Sequence, residues 1–99
     1  MENTENVGNP VHIIGVIASP RCLTDTTEDG SYYKIFVRIR EPGGEEETVP
    51  VIVPESCMPN VPDMTGRMAM IDGVVRFRAV YADRFILADG AAGNGDSGQ

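Results

Sequence analysis

The sequence predicts an all-β fold, a small five-stranded barrel, and two observations lead to it. Short segments alternate between apolar and polar residues with a period of two, which is typical of strands that bury one face. Clusters of Gly, Pro, Asn and Asp separate these segments, as turns do between strands. A chain of 99 residues with this pattern is expected to form one β-domain.

The predicted strands span residues 10–18, 31–41, 47–53, 66–79 and 84–89. A loop at 19–30 follows the first strand, and the turn PGGEE at 42–46 closes a hairpin between the second and third. Residues 54–65 contain three prolines, so at most one helical turn is expected near 54–58.

Two glycines and the strand spacing favour a closed barrel over an open sheet. Gly15 and Gly73 lie in mid-strand, where glycine usually marks a bulge or a sharp bend, and small barrels need such bends to close. Five strands with one wide interval between the third and fourth fit the Greek-key OB-fold. A flat sheet or an immunoglobulin-like sandwich is the alternative, although a sandwich usually has about seven or more strands.

The domain is predicted to span residues 9–89, between a disordered polar arm at 1–8 and a flexible Gly-rich tail at 90–99. No signal peptide and no bilayer-spanning apolar run are present, so we expect a cytoplasmic protein with no membrane partner.

Cys22 and Cys57 are too far apart for a metal-type pair, and His12 has no ligand partner at metal spacing. No enzyme signature is found, so neither catalysis nor a cofactor is expected.

The stretch SYYKIFVRIR, residues 31–40, gives the second strand two different faces. One face is apolar, and the other carries Tyr32, Lys34, Phe36, Arg38 and Arg40 in a chain whose net charge is -7. Single-stranded nucleic acids are bound by basic grooves with aromatic rings on which bases stack. Tyr32 and Phe36 are about 13 Å apart on a strand, which leaves room for two bases around Lys34. The alternative is that Phe36 packs under a loop and the arginines pair with Glu45–Glu47 across the hairpin.

The fourth predicted strand and the residues after it are expected to extend this basic surface. Arg76 and Arg78 are expected on one face of the fourth strand, with Val75 and Phe77 on the other. Tyr81 and Arg84 follow at positions that could continue the same surface.

Three segments resemble the bacterial single-stranded DNA-binding protein family. Asn9, Val11, Ile13, Gly15 and Ile17 are similar to that family's opening N-x-V-x-L-x-G-x-L, and Ile35, Val37 and Ile39 match the F-x-L-x-V of its second strand. Residues 66–78, GRMAMIDGVVRFR, are similar to its G-x-x-V-x-I-E-G-x-L-R-x-R. The resemblance covers roughly residues 9–88 and implies an OB-fold that binds single-stranded DNA as a dimer of dimers.

The sequence therefore predicts a non-enzymatic protein of DNA replication that binds single-stranded DNA, or RNA. The expected nucleic-acid contacts are Tyr32, Lys34, Phe36, Arg38, Arg40, Arg76, Arg78, Tyr81 and Arg84. The alternative is a protein-interaction module in a replication or mobile-element complex, because the family's usual aromatic positions here hold Gly43, Thr48, Pro54 and Val80.

The first strand predicts a homodimer, which could pair into a dimer of dimers. It is apolar on both faces, whereas a barrel strand needs only one apolar face. The outer row His12, Ile14, Val16 and Ala18 would form a two-fold interface. The alternative is that the N-terminal arm or residues 54–65 cover this row within one chain.

Overall fold

The computed structural model describes residues 9–88 and contains six strands. The predicted arm at 1–8 and the tail at 90–99 lie outside the described residues, as does Asp89. The strands are β1 (Asn9–Ile17), β2 (Cys22–Thr27), β3 (Gly30–Arg40), β4 (Glu46–Pro54), β5 (Met68–Arg76) and β6 (Ala79–Leu87).

Five of the strands close into a barrel in the order β1, β5, β6, β4, β3. The ring closes where β1 leaves β5 and pairs with β3, at Val16 opposite Arg38. All pairings in the ring are antiparallel except that of β4 with β6, which is parallel at Val51 and Ile52. This mixed, closed arrangement is the OB-fold, so the predicted fold class is confirmed.

The alternation of β3 separates the core from the outer surface as the sequence predicts. Ile35 and Val37 are fully buried, whereas Phe36 between them is 39% exposed. Facing residues of the other barrel strands complete the interior, because closure turns one side of every strand inward. The buried core consists of Ile17, Ile35, Val37, Val51, Val53, Met64, Ala69, Ile71, Val80, Ala82 and Phe85.

Gly15 and Gly73 allow the close backbone approaches that closure requires. A Cβ atom at Gly15 would lie 2.6 Å from the carbonyl oxygen of Arg38, where β1 crosses to β3. At Gly73 it would lie inside the van der Waals distance of the Tyr81 carbonyl oxygen. The β5–β6 register shifts between Asp72 and Gly73, so the predicted bulge is confirmed there.

Two predicted boundaries are wrong. The loop expected at 19–30 contains β2, which forms a hairpin with β3 and has no buried residue. The strands expected at 66–79 and 84–89 are instead β5 and β6, joined by a two-residue turn at Phe77 and Arg78. Arg78 therefore does not share a strand face with Arg76, and Phe77 does not share the opposite face with Val75.

Residues 54–65 pack against the barrel interior. They contain one 3₁₀ turn, Glu55–Cys57, at the place expected for a single helical turn. Met64 is buried in the core, and Cys57, Met58 and Val61 pack against it. Asp63 accepts hydrogen bonds from the backbone N–H of Thr65 (3.0 Å) and from its hydroxyl (2.8 Å), which lower the Asp63 pKa. Within residues 9–88, no helix has the length and apolarity needed to cross a membrane.

Candidate nucleic-acid interface

The outer face of the barrel carries an aromatic and basic surface where β3, β4, β6 and β5 lie side by side. The register aligns Lys34 with Ile52, Ile52 with Tyr81, and Tyr81 with Val74. The neighbouring position on β3 is Phe36, which is opposite Pro50. Chain segments that are distant in sequence thus supply one continuous surface.

A groove of about 510 Å³ opens on this surface. The β2–β3 hairpin forms one wall, because Asp25 lies opposite Tyr32 in the register. Tyr32, Ile52, Tyr81 and Arg76 form the remainder of the groove, which gives it two aromatic rings and one guanidinium. The lining residues are Thr24, Asp25, Thr27, Tyr32, Ile52, Arg76 and Tyr81.

Two cations of this surface lie over aromatic rings. The Lys34 ammonium is 5.6 Å from the centroid of the Phe36 ring, and the Arg76 guanidinium is 5.8 Å from that of Tyr81. Both distances are within the range of cation–π attraction. The pairs place positive charge against two aromatic rings of this surface.

Arg38 and Arg40, at the other end of the β3 outer row, have an acidic partner. An Arg40 guanidinium nitrogen lies 2.9 Å from a Glu46 carboxylate oxygen, and Arg38 Nε lies 3.8 Å from the other oxygen. This is the cross-hairpin pairing that the sequence offered as an alternative. Their role in nucleic-acid binding stays a prediction.

Arg78 and Arg84 do not line the groove. Arg78 borders a separate hollow of about 340 Å³ with Glu47 and Pro50 among its other walls. Arg84 is opposite Asp72 in the β5–β6 register, and Asp72 is opposite His12 in the β1–β5 register. The structure therefore unites five of the nine predicted contact residues on one surface, namely Tyr32, Lys34, Phe36, Arg76 and Tyr81.

A second surface, the β1 face, is apolar. Ile14 and Val16 of β1 lie opposite Met70 and Met68 of β5, and Met70 lies opposite Ile86 of β6. Exposure is 51% for Ile14, 42% for Met68 and 43% for Ile86. His12 Nδ1 contacts a carboxylate oxygen of Asp72 at its edge, and the backbone N–H of Ala18 donates to the Phe36 carbonyl oxygen (2.7 Å). Residues 54–65 pack on the core instead of covering Ile14.

Sequence reasoning missed several residues of the groove. Thr24, Asp25 and Thr27 belong to β2, which looked like a loop because none of its residues is buried. The threonines of CLTDTT are a weak strand signal that could have revealed it. Ile52 carries no signal of its own in the sequence, since only the β4–β6 pairing places it beside Tyr81.

Within residues 9–88, no group of three His, Cys, Asp or Glu side chains is arranged to hold a metal ion.

Comparison with known proteins identifies the architecture. No family model and no curated protein matches the chain. Among solved structures, it is similar to the dimeric N-terminal domain of PriB protein from Thermoanaerobacter tencongensis, with a TM-score of 0.73. The two sequences are 14% identical, and the match covers 81% of this chain and 96% of the PriB chain. A deletion mutant of the single-stranded DNA binding protein from Thermus aquaticus matches with a TM-score of 0.53 and 16% identity over 87% of this chain. The match spans 53% of the Thermus chain. These likenesses show a shared OB-fold.

Proposed function

We propose that the protein binds single-stranded DNA in the groove between the β2–β3 hairpin and the outer face of β4 and β6, without catalysing a reaction. The observation that carries the proposal is the pairing of rings with cations on one face, Lys34 with Phe36 and Arg76 with Tyr81. Single-strand binding needs both elements, since bases stack on rings and phosphates require positive charge.

The arrangement suggests how a strand would lie. Bases would stack on Tyr32, Tyr81 and Phe36, each stack contributing about 1–3 kcal/mol. Lys34 and Arg76 lie over two of these rings, so a base that stacks there would displace the cation from the ring face toward the adjoining phosphate. The net charge of -7 opposes adhesion of nucleic acid to the rest of the molecule, so binding is confined to this face.

The comparison with solved structures adds support. The Thermus aquaticus protein is named for single-stranded DNA binding, and it shares the barrel on which the groove is built. The segments of residues 9–17 and 66–78 that resemble the single-stranded DNA-binding family form β1 and the β5 region of that barrel.

Fluorescence anisotropy with labelled oligo(dT) of about 30 nucleotides, longer than the roughly 4–16 that one OB-fold covers, tests the proposal. We expect binding at low salt that weakens steeply as salt increases, because phosphate contacts release counterions. An oligo(rU) of the same length would show whether RNA is also bound. Failure of the wild-type protein to bind at low salt and micromolar concentration would overturn the proposal and favour a protein-interaction module.

We also propose that the β1 face forms a homodimer, which leaves the groove open to DNA. Ile14, Met68 and Ile86 are each more than two-fifths exposed, and together with Val16 and Met70 they make a contiguous apolar patch. Patches of this kind on a small domain usually mark an interface. The PriB domain that shares the fold is itself dimeric.

Sedimentation equilibrium on the wild type and on an Ile14→Glu, Val16→Glu double variant tests the dimer. We expect a dimeric wild type and a monomeric variant, since charge on the β1 face would have to be buried without a partner. Leu23→Glu is the matched control, because Leu23 is 57% exposed but lies on β2, away from this face. A monomeric wild type at tens of micromolar, or a double variant that still dimerises, would show that this face is not the interface.

A further inference from the structure

Phe77 is the most exposed large apolar side chain among residues 9–88. It is 87% exposed, while the next in exposure, Leu23, is 57%. It occupies the first position of the two-residue turn between β5 and β6, followed by Arg78. Its ring therefore contributes little to the core, and its presence at the tip of a hairpin needs another explanation.

The backbone at this turn opposes a phenylalanine. Phe77 has φ 50° and Arg78 has φ 65°, so both lie in the left-handed region. Two-residue hairpin turns of this geometry favour Asn and Gly, which tolerate positive φ, and a bulky side chain there is an outlier. Strained residues of this kind are concentrated at functional sites.

The surroundings of Phe77 indicate the ligand. Arg76 precedes it, lines the groove and lies over the Tyr81 ring, while the exposed Arg78 follows it. Phe77 is flanked in sequence by two arginines, so a strand that reaches its ring would also pass near two donors for phosphate. A purely apolar pocket of a protein partner would leave the two flanking cations without a counter-charge.

We propose that Phe77 stacks on a nucleobase at the rim of the groove, so that a bound strand continues from Tyr81 over the β5–β6 turn. This inference rests on the proposed function and extends it, because Phe77 lies outside the groove itself. A contact that forms only when DNA is bound would explain why the ring is exposed in the free protein and why the turn keeps a phenylalanine in a strained conformation.

Substitution by asparagine separates binding from folding. Phe77→Asn relieves the positive φ, so we expect the variant to be at least as resistant to thermal unfolding as the wild type. Its affinity for oligo(dT) should fall by roughly 5- to 150-fold, the range that corresponds to loss of one stacked base. The control Leu23→Asn removes an exposed apolar side chain outside the groove lining and should leave affinity unchanged.

Substitution by tryptophan reports the contact directly. The chain contains no tryptophan, so in Phe77→Trp the new indole is the sole one. We expect near-wild-type affinity and quenching of the tryptophan fluorescence when oligo(dT) binds, because a stacked base lies against the indole.

Either of two results would overturn this inference and leave the proposed function standing. They are wild-type affinity in Phe77→Asn and unquenched fluorescence in Phe77→Trp at saturating oligo(dT). A change of oligomeric state in Phe77→Asn by sedimentation, with no loss of affinity, would assign the ring to contact between copies of the chain and would also overturn it. A wild-type protein that binds no oligonucleotide would overturn the proposed function, and this inference with it.

Discussion

The two halves of the β3 outer row have similar sequences but different surroundings. Lys34 and Phe36 lie opposite Ile52 and Pro50, and the Lys34 ammonium lies over the Phe36 ring. Two positions further along, Arg38 and Arg40 both pair with the carboxylate of Glu46. We call these halves the ring end and the arginine end.

The difference shows that the residues on the neighbouring strand decide whether the cations of a basic strand face are available to a ligand. At the ring end the neighbouring side chains are apolar, so the cation remains next to a ring and to the groove. At the arginine end the neighbouring carboxylate already balances part of the charge. The positive charge at the arginine end is therefore less available to a phosphate than the sequence of β3 alone indicates.

The largest expected effect comes from removing rings near the groove. Phe36→Ala and Tyr81→Ala should each weaken oligo(dT) binding by about 1–3 kcal/mol, the contribution of one stacked base. Arg38→Ala should weaken it by less than about 1 kcal/mol, because that side chain is exposed and already has an acidic partner. Anisotropy titrations of the three variants at one salt concentration give the ranking.

Thermal unfolding of the same variants is the control, since a destabilised barrel would also lose affinity. Phe36 is 39% exposed, so its truncation should leave the fold intact. A larger loss from Arg38→Ala than from either ring substitution would show that the arginine end, not the ring end, holds the strand.

A smaller effect is expected from releasing the arginine end. Glu46→Gln removes the carboxylate shared by Arg38 and Arg40 and frees both cations for phosphates. The negative slope of log affinity against log salt should increase in magnitude by roughly 1–2, since each added phosphate contact contributes about 0.7–0.9 to that slope. Stability should change by only about 0–1 kcal/mol, because exposed ion pairs contribute little.

The matched control for this variant is Glu28→Gln in the turn between β2 and β3, which removes one negative charge without touching either arginine. An equal steepening in both variants would indicate a general charge effect instead of release of the arginine end.

The ring end could be predicted from the sequence because period-two alternation is local. Ile35 and Val37 identify the buried face of β3, and the outward position of Phe36 follows from their burial. The bulge near Gly73 could also be predicted, since a glycine in mid-strand has few other uses. Topology followed from the number and spacing of such segments.

The parts that could not be predicted depend on long-range register or on unburied strands. β2 buries no residue, so its sequence shows no alternation. His12 and Asp72 are 60 residues apart in sequence, and only the β1–β5 pairing brings them into contact. The turn at Phe77 and Arg78 contradicts the residue preferences of its own geometry, so local propensity extends β5 through it.

The smallest expected effect is a pH dependence in the acidic segment beside the arginine end. The protonated Glu47 carboxyl donates a hydrogen bond to the Glu41 side chain, and this bond, followed by the like charge of Glu41, raises the pKa of Glu47 above its ordinary value of 4.5. Because the folded state holds this proton more tightly, the stabilisation is fully present below pH 4.5 and is lost as the pH rises through the raised pKa.

Glu47→Gln keeps a hydrogen-bonding side chain and removes the ionisation, so it should unfold at a slightly higher temperature than the wild type at neutral pH. That advantage should disappear below pH 4.5, where the wild-type carboxyl is protonated. Thermal unfolding of both proteins across this pH range measures the difference, and Glu28→Gln, placed in the other hairpin, is the control for charge alone. An advantage of Glu47→Gln that stays constant with pH would show that Glu41 and Glu47 do not share a proton.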